Sequence, residues 1–242
     1  MKRIHLLKEP NLMAKYDAFP YQKEAIEAVK DLEYAAIFHE QGLGKTKIAI
    51  DLILYWLKNT SIDTVLVVTK KQLVSNWIRE FKSHTSFVPS ILDVNKKNNY
   101  HVFCGPSRVV VTNFELLISE KERFKLYLNT RNVAVIIDES AKLKNPKTKL
   151  TQSYFELAPL FKKRVIMTGT PVANRPYDIW AQIYFWIREK AWEKILKVSN
   201  MKRICRTSWH RMRIYRFRLK IAFLRYIRRF KIFRFEKPKI VE

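Results

Sequence analysis

Two glycines, a lysine and a threonine stand together in Gly42-Leu-Gly-Lys-Thr46, between an apolar run and an amphipathic one. Residues 34–38 have the pattern of a short buried strand, and apolar residues recur at helical spacing from Lys45 onward. A strand, a glycine-bearing turn and a helix N-terminus can cradle phosphates, because backbone N–H groups and the helix dipole face the anionic oxygens. In that chemistry Lys45 supplies positive charge and Thr46 a hydroxyl for Mg²⁺.

The match to the phosphate-loop pattern is incomplete, because His39 stands where the full pattern has a glycine. The alternative interpretation is a tight strand-to-helix turn that carries an incidental lysine. On the phosphate-loop interpretation, the residues that bind the nucleotide phosphates are Gly42, Leu43, Gly44, Lys45 and Thr46.

Two carboxylates, Asp138 and Glu139, end the aliphatic run that starts at Asn132, about 90 residues after the glycine-bearing turn. At the end of a buried strand, Asp138 is suited to hold Mg²⁺ and Glu139 to polarise an attacking water. The alternative is an ordinary solvated strand end. Gln22 has an amide donor and acceptor with which to read an adenine edge, or is simply a surface residue of its helix.

Strand and helix patterns alternate along the chain, which predicts a doubly wound α/β fold with a mainly parallel sheet. The carboxyl ends of such strands share one edge, where open α/β sheets bind ligands. A single uninterrupted helix is predicted from Phe114 to about Leu128. Residues 83–107 are predicted to form a loop plus a weaker strand, with Cys104 packed. The clear strands are predicted over 34–38, 63–69, 108–113, 132–137 and 163–168.

The formal net charge is +25, and residues 187–242 hold 19 Lys and Arg against 4 Asp and Glu. Such an excess predicts attraction to a polyanion, nucleic acid first and an anionic membrane second. No run reaches the roughly 18 to 20 apolar residues of a membrane span, and the first ten residues lack a signal-peptide core. We therefore expect an intracellular protein without a membrane span.

Several segments together resemble the first motor lobe of the Swi/Snf-type DNA-dependent ATPases, a branch of helicase superfamily two. The resemblance covers about residues 15–187. Phe19-Pro-Tyr-Gln22 resembles the glutamine motif, residues 40–46 resemble motif I, 65–81 motif Ia, 111–115 motif Ib, 138–146 motif II and 167–174 motif III.

This resemblance implies a RecA-like P-loop lobe over residues 1–187, followed by a basic, mostly helical or irregular extension over 188–242. It implies an ATPase that uses ATP and Mg²⁺ and moves along double-stranded DNA. By position, Gln22 would contact adenine, and the catalytic residues would be Lys45, Asp138 and Glu139, with Thr46 and Asp138 at the metal. The candidates for the DNA-facing edge are Lys70, Thr112, Asn113 and Lys144.

Two departures from the family pattern bear on activity. Ala141 stands where motif II usually has a histidine that contacts motif III, so we expect weaker coupling between hydrolysis and DNA. Nothing after residue 187 resembles the family, and we expect the second RecA-like lobe, with its arginine fingers, in the full-length protein or in trans. Because such a finger is worth roughly 10³ to 10⁵ in rate, this chain should bind ATP far better than it hydrolyses it.

The basic extension has three interpretations: a surface that grips nucleic acid, a segment that lies on an anionic membrane, or the product of a truncation or frameshift. The sequence also leaves three hypotheses for the function of the protein. The first is an ATP-binding motor lobe of a Swi/Snf-type translocase on duplex DNA. The second is a truncated or degenerate lobe that binds nucleotide or nucleic acid without turnover, and the third is a structural or membrane-associated basic protein.

Overall fold

The computed structural model describes residues 11–94 and 96–170, together with Gln182 and Phe185. The boundary predicted at 187 and the basic extension therefore lie outside the described residues. The strands are β1 Tyr34–Ile37, β2 Thr64–Thr69, β3 Ser90–Ile91, β4 Val109–Asn113, β5 Val133–Ile137 and β6 Lys163–Met167. They form one sheet in the order β1-β6-β5-β2-β4-β3, and every pair is parallel. The predicted doubly wound α/β fold is confirmed.

Seven α-helices connect or precede these strands within the described residues. They are α1 Pro20–Val29, α2 Lys45–Asn59, α3 Val74–His84, α4 Lys96–Cys104, α5 Phe114–Ser119, α6 Lys121–Thr130 and α7 Lys149–Leu157. None of the described helices is long and apolar enough to cross a membrane.

Helices cover both faces of the sheet, which explains why its central strands read as continuous apolar runs. All the residues of β2, β4 and β5 are buried. Apolar side chains of α1, α2 and α3 form one core against the sheet, with Trp56 and Trp77 at its centre. Those of α5, α6 and α7 form the other, around Phe124 and Tyr154. The two cores fix the strand ends that carry the polar loops.

Two element predictions were wrong in part, although the weaker strand predicted within 83–107 is present as β3. The helix expected from Phe114 to Leu128 is divided at Glu120, whose φ of −108° and ψ of 20° end α5 and start α6. Helix α4 occupies part of the segment expected to be a loop and strand, and Cys104 at its end is exposed. Its apolar periodicity is short, and tertiary packing supplies what the pattern lacks, since the Phe103 ring lies 5.1 Å from that of Phe124.

Candidate functional site

Three polar turns meet at the carboxyl edge of the sheet, as parallel strands require. One follows β1 and leads into α2, one follows β5, and one follows β6. Because β1, β6 and β5 are neighbours in the sheet, turns far apart in sequence become adjacent in space. The sheet order therefore brings the glycine-bearing turn and the acidic turn to one place.

The turn between β1 and α2 depends on two glycines in the left-handed region. Gly42 has φ 83° and Gly44 has φ 66°, a conformation that residues with a Cβ adopt only under strain. A Cβ on Gly44 would also lie 2.3 Å from Nε2 of Gln22. Gly44 is the N-cap residue of α2, so the turn delivers the chain directly into a helix N-terminus. This is the geometry that exposes amide donors to an anion.

Lys45 lies beside both acidic residues. Its Nζ donates to the carbonyl oxygens of His39 and Glu40, each at 3.0 Å. Burial lowers the pKa of Lys45 below its ordinary value, and the negative charges of Glu139 and Asp138 act in the opposite direction. Both carboxylates therefore act electrostatically on this ammonium.

The carboxylate of Asp138 accepts hydrogen bonds from two side chains of the β2–α3 unit. Its Oδ2 accepts from the indole Nε1 of Trp77 at 2.9 Å and from the hydroxyl of Thr69 at 3.2 Å. Its Oδ1 accepts from the backbone N–H of Glu139 at 3.0 Å. In the sequence, Trp77 recurs at helical spacing within the segment that resembles motif Ia. Its helical spacing carries no signal for the indole hydrogen bond, because the acceptor comes from a strand 61 residues away.

Glu139 adopts a left-handed backbone conformation, with φ 53° and ψ 46°. Among the described residues with a Cβ it is the one with positive φ. Its carboxylate Oε2 lies 3.9 Å from Nζ of Lys70, a half-exposed ion pair whose contribution to stability is small. Lys70 thus contacts the acidic turn as well as being a candidate for the DNA-facing edge.

Gln22 is buried, so the interpretation as a surface residue is wrong. Its Oε1 accepts from the backbone N–H of Phe19 at 3.0 Å, which fixes the start of α1. Its Nε2 faces the turn at Gly44 and lies 3.5 Å from the hydroxyl of Tyr21. The rings of Phe19 and Tyr21 stack with centroids 6.0 Å apart. The glutamine therefore lies against the glycine-bearing turn.

His39, which replaces the expected glycine, is completely buried at the start of the loop. Burial, and then the positive charge of Lys45, lower the pKa of this imidazole from 6.5 to about 4. The side chain is therefore neutral at pH 7. It adds no charge to the loop.

The turn after β6 packs against the glycine-bearing turn. The backbone N–H of Thr170 donates to the hydroxyl of the buried Thr168 at 3.2 Å. A Cβ on Gly169 would lie 3.1 Å from Cγ of Gln41 and 3.6 Å from the carbonyl oxygen of His39. Contact between these two turns provides a route by which a change in one can reach the other.

The four candidates for DNA contact differ in accessibility. Lys70 and Lys144 are exposed, whereas Thr112 is fully buried and its hydroxyl does not reach the surface. Asn113 caps α5, because its Oδ1 accepts from the N–H of Leu116 at 2.9 Å. Next to this cap is a groove of about 600 Å³, whose polar lining is Lys70, Lys71, Gln72, Asn113, Glu115, Ser119 and Lys142.

The donor set fits a magnesium nucleotide. The hydroxyl of Thr46 and the carboxylate of Asp138 are hard oxygen ligands of the kind that Mg²⁺ prefers. The N-terminus of α2 and the ammonium of Lys45 suit phosphate oxygens. Glu139, next to Asp138, is a carboxylate of the kind that can orient a water.

Comparison with known proteins gives a consistent family. The model of the SNF2-related domain matches residues 21–214, which extends beyond residue 187. The human "SWI/SNF-related matrix-associated actin-dependent regulator of chromatin subfamily A member 1" is 34% identical over 155 residues, 60% of this chain and 14% of that protein. A "probable ATP-dependent DNA helicase" of Arabidopsis thaliana is 28% identical over 201 residues, 75% of this chain and 18% of that protein.

A similar fold occurs in a solved structure. The "Sulfolobus solfataricus SWI2/SNF2 ATPase core in complex with dsDNA" matches with a TM-score of 0.62 and 22% identity, over 76% of this chain and 38% of that chain. At this identity the likeness shows the fold alone. The chain spans 14% to 18% of the length of the two curated relatives named above.

Proposed function

The chain belongs to the SNF2-related domain family, and from this premise we propose that residues 1–187 bind Mg-ATP as the first motor lobe of a translocase on duplex DNA. Residues 188–242 form a basic extension in this proposal, but the family model matches as far as residue 214, so the expectation that nothing after residue 187 resembles the family is wrong. The family is one of ATP-hydrolysing enzymes. A second RecA-like lobe, in a longer protein or in trans, completes the motor, which is in keeping with the short span of this chain relative to its relatives.

The observation that carries the proposal is the sheet order β1-β6-β5, which brings the turn that leads into Lys45 and the turn of Asp138 and Glu139 to one edge. When bound, Mg-ATP supplies the reactive γ-phosphate and the metal charge. Lys45 neutralises phosphate charge. Asp138, oriented by Trp77 and Thr69, would hold the metal, and Glu139 would orient a water and accept its proton.

The proposed DNA-facing surface is the groove beside α5 with the exposed lysines around it. Lys70 and Asn113 line this groove, whereas Lys144 is exposed two residues after the lining residue Lys142. Lys70 and Lys144 contact phosphates in this proposal. The Sulfolobus protein of similar fold was solved with double-stranded DNA, which supports DNA as the polyanion. The lysines would act through counterion release, which gives binding that weakens steeply with salt.

A second candidate function is nucleotide or nucleic-acid binding without turnover. Ala141 favours it, since its methyl group cannot make the contact that the usual histidine makes. The two candidates share the nucleotide site and differ in hydrolysis. An ATPase assay of this chain with and without duplex DNA separates them.

Thermal protection by nucleotide tests the site itself. We expect Mg-ATP to raise the melting temperature of the wild-type chain and Lys45→Ala to abolish that rise, because the variant loses the ammonium at the N-terminus of α2 that would neutralise phosphate charge. Lys58→Ala, at the exposed end of the same helix α2, is the matched control and should keep the protection. Equal protection of the wild type and Lys45→Ala would refute the proposed site.

A further inference from the structure

One buried hydrogen bond ties the acidic turn to a distant part of the chain. The hydroxyl of Ser140, the residue after Glu139, donates to Oε1 of Gln182 at 2.7 Å. Both side chains are fully buried, and 42 residues separate them. The short distance and the absence of solvent exposure make this a defined contact between two elements.

A buried polar pair in this position fixes the arrangement of the turn and adds little to the free energy of unfolding. An exchange of both partners for apolar residues of similar shape is often nearly neutral for stability, because the desolvation cost disappears with the bond. The loss of one partner alone leaves a buried polar atom unsatisfied, at a free-energy cost. A serine and a glutamine facing each other therefore define the arrangement of the turn more than they strengthen the core.

The Ser140–Gln182 hydrogen bond fixes the acidic turn on the side that follows Glu139. On the preceding side, Asp138 is fixed by Trp77 and Thr69. On the following side, Ser140 begins a single 3₁₀ turn, Ser140–Leu143, that starts directly after the left-handed backbone of Glu139. In this turn Ser140 makes the side-chain bond to Gln182, whereas Ala141 has no polar side-chain atom.

The partner side of the bond is anchored as well. Phe185, three residues after Gln182, is fully buried, and its ring centroid lies 5.9 Å from that of Tyr154 on α7. Gln182 and Phe185 are both helical, and residues three apart on a helix share one side. Gln182 is thus held against the core by a neighbouring aromatic contact and presents its amide to the acidic turn.

We propose that Ser140 and Gln182 are positioning residues that hold Glu139 in its left-handed conformation and link the acidic turn to the chain beyond Thr168–Thr170. The catalytic meaning of this link rests on the proposed function, because Glu139 is the residue assigned to the attacking water. The mechanical link itself is a property of the unliganded chain and is testable without nucleotide.

Amide hydrogen exchange of the full chain tests directly whether the Ser140–Gln182 bond fixes the acidic turn. The N–H groups of Lys142 and Lys144 donate to the carbonyl oxygens of Glu139 at 3.0 Å and Ala141 at 3.3 Å, so they report on the acidic turn. We expect the exchange of these two N–H groups to become about tenfold faster in Gln182→Leu and also in the double variant Ser140→Ala/Gln182→Leu. We expect Gln182→Leu to lower the melting temperature and the double variant to recover most of that loss. Ser153→Ala is the control: it removes a different buried hydroxyl, on α7, and should leave the exchange of Lys142 and Lys144 unchanged.

Recovery of both melting temperature and amide protection in the double variant would overturn the proposal, because the bond would then be core packing only. Unchanged exchange in Gln182→Leu would overturn it too. The same variants are then titrated with Mg-ATP, and we expect the double variant to bind it about threefold to tenfold more weakly than the wild type. If the wild type binds no Mg-ATP, the proposed function fails while the exchange result still decides the link.

Discussion

At the residue scale, the indole of Trp77 makes a hydrogen bond to a buried carboxylate that is testable by a matched pair. Trp77→Phe removes the donor to Asp138, and hydrogen bonds to charged groups are worth about 1.5 to 3 kcal/mol. Trp56→Phe removes an equally buried indole donor, but the acceptor is the neutral carbonyl of Lys30, for which about 0.5 to 1.5 kcal/mol is expected. Urea unfolding measures both.

Beyond the difference in stability, Trp77→Phe should weaken Mg-ATP binding. Trp56→Phe should not, because Trp56 lies near the end of α2, at the opposite end of that helix from Lys45. Equal losses of stability together with unchanged Mg-ATP affinity in both variants would contradict the role of Trp77 in orienting Asp138.

His39 predicts a pH dependence of stability. Its pKa is about 4 in the folded chain and near 6.5 when unfolded, so the unfolded state binds more protons between these values. The free energy of unfolding should therefore be highest above pH 6.5 and fall, by up to about 3 kcal/mol, as the pH drops toward 4. Urea unfolding at several pH values should show a shallower fall for His39→Asn. A variant of the exposed His101, His101→Asn, is the control, and identical pH profiles for wild type and His39→Asn would contradict this assignment.

At the scale of elements, Asn113 serves as the N-cap of α5, and this role can be separated from a DNA contact. Asn113→Ala should cost about 1 kcal/mol in urea unfolding, because the N–H of Leu116 loses its acceptor. Asn113→Ser keeps an acceptor and should cost only a few tenths. If the amide contacts DNA, both variants bind duplex DNA more weakly to a similar extent. DNA affinity that follows stability instead would assign Asn113 to the cap alone.

The helices show where pattern-based prediction ends. The apolar stripe of α2 is long and regular, and the sequence predicts that helix from Lys45 onward. Helix α4 is short and depends on Phe103 packing against α6, which the local pattern does not contain. The division between α5 and α6 at Glu120 is equally invisible, because the apolar residues on its two sides keep a helical spacing.

At the scale of the whole molecule, the positive charge predicts salt-dependent DNA binding at the carboxyl edge of the sheet. Each phosphate contact contributes about 0.9 to the slope of log affinity against log salt. Lys142→Gln/Lys144→Gln should therefore reduce that slope by up to about 1.8 and weaken binding of duplex DNA. Fluorescence anisotropy with labelled duplex DNA over a salt series measures the slope.

The control for this prediction is Lys162→Gln. Lys162 is exposed and immediately precedes β6, at the amino edge of the sheet and opposite the acidic turn. Because this variant loses charge on the other edge, its slope should stay close to that of the wild type. Equal slopes for the wild type, Lys142→Gln/Lys144→Gln and Lys162→Gln would show that DNA is not bound at the carboxyl edge.

The sequence by itself determined the fold class and the identity of the loop and acidic residues, because both depend on local patterns: buried strand runs, helical spacing, glycines before Lys45 and acids after β5. Only the tertiary structure decided how those residues are held. The bonds of Trp77 to Asp138 and of Ser140 to Gln182 join residues 61 and 42 positions apart, and the burial of Gln22 arises where α1 meets the turn at Gly44. Such contacts depend on which strands become neighbours, and strand order is a property of the packed sheet rather than of any one segment.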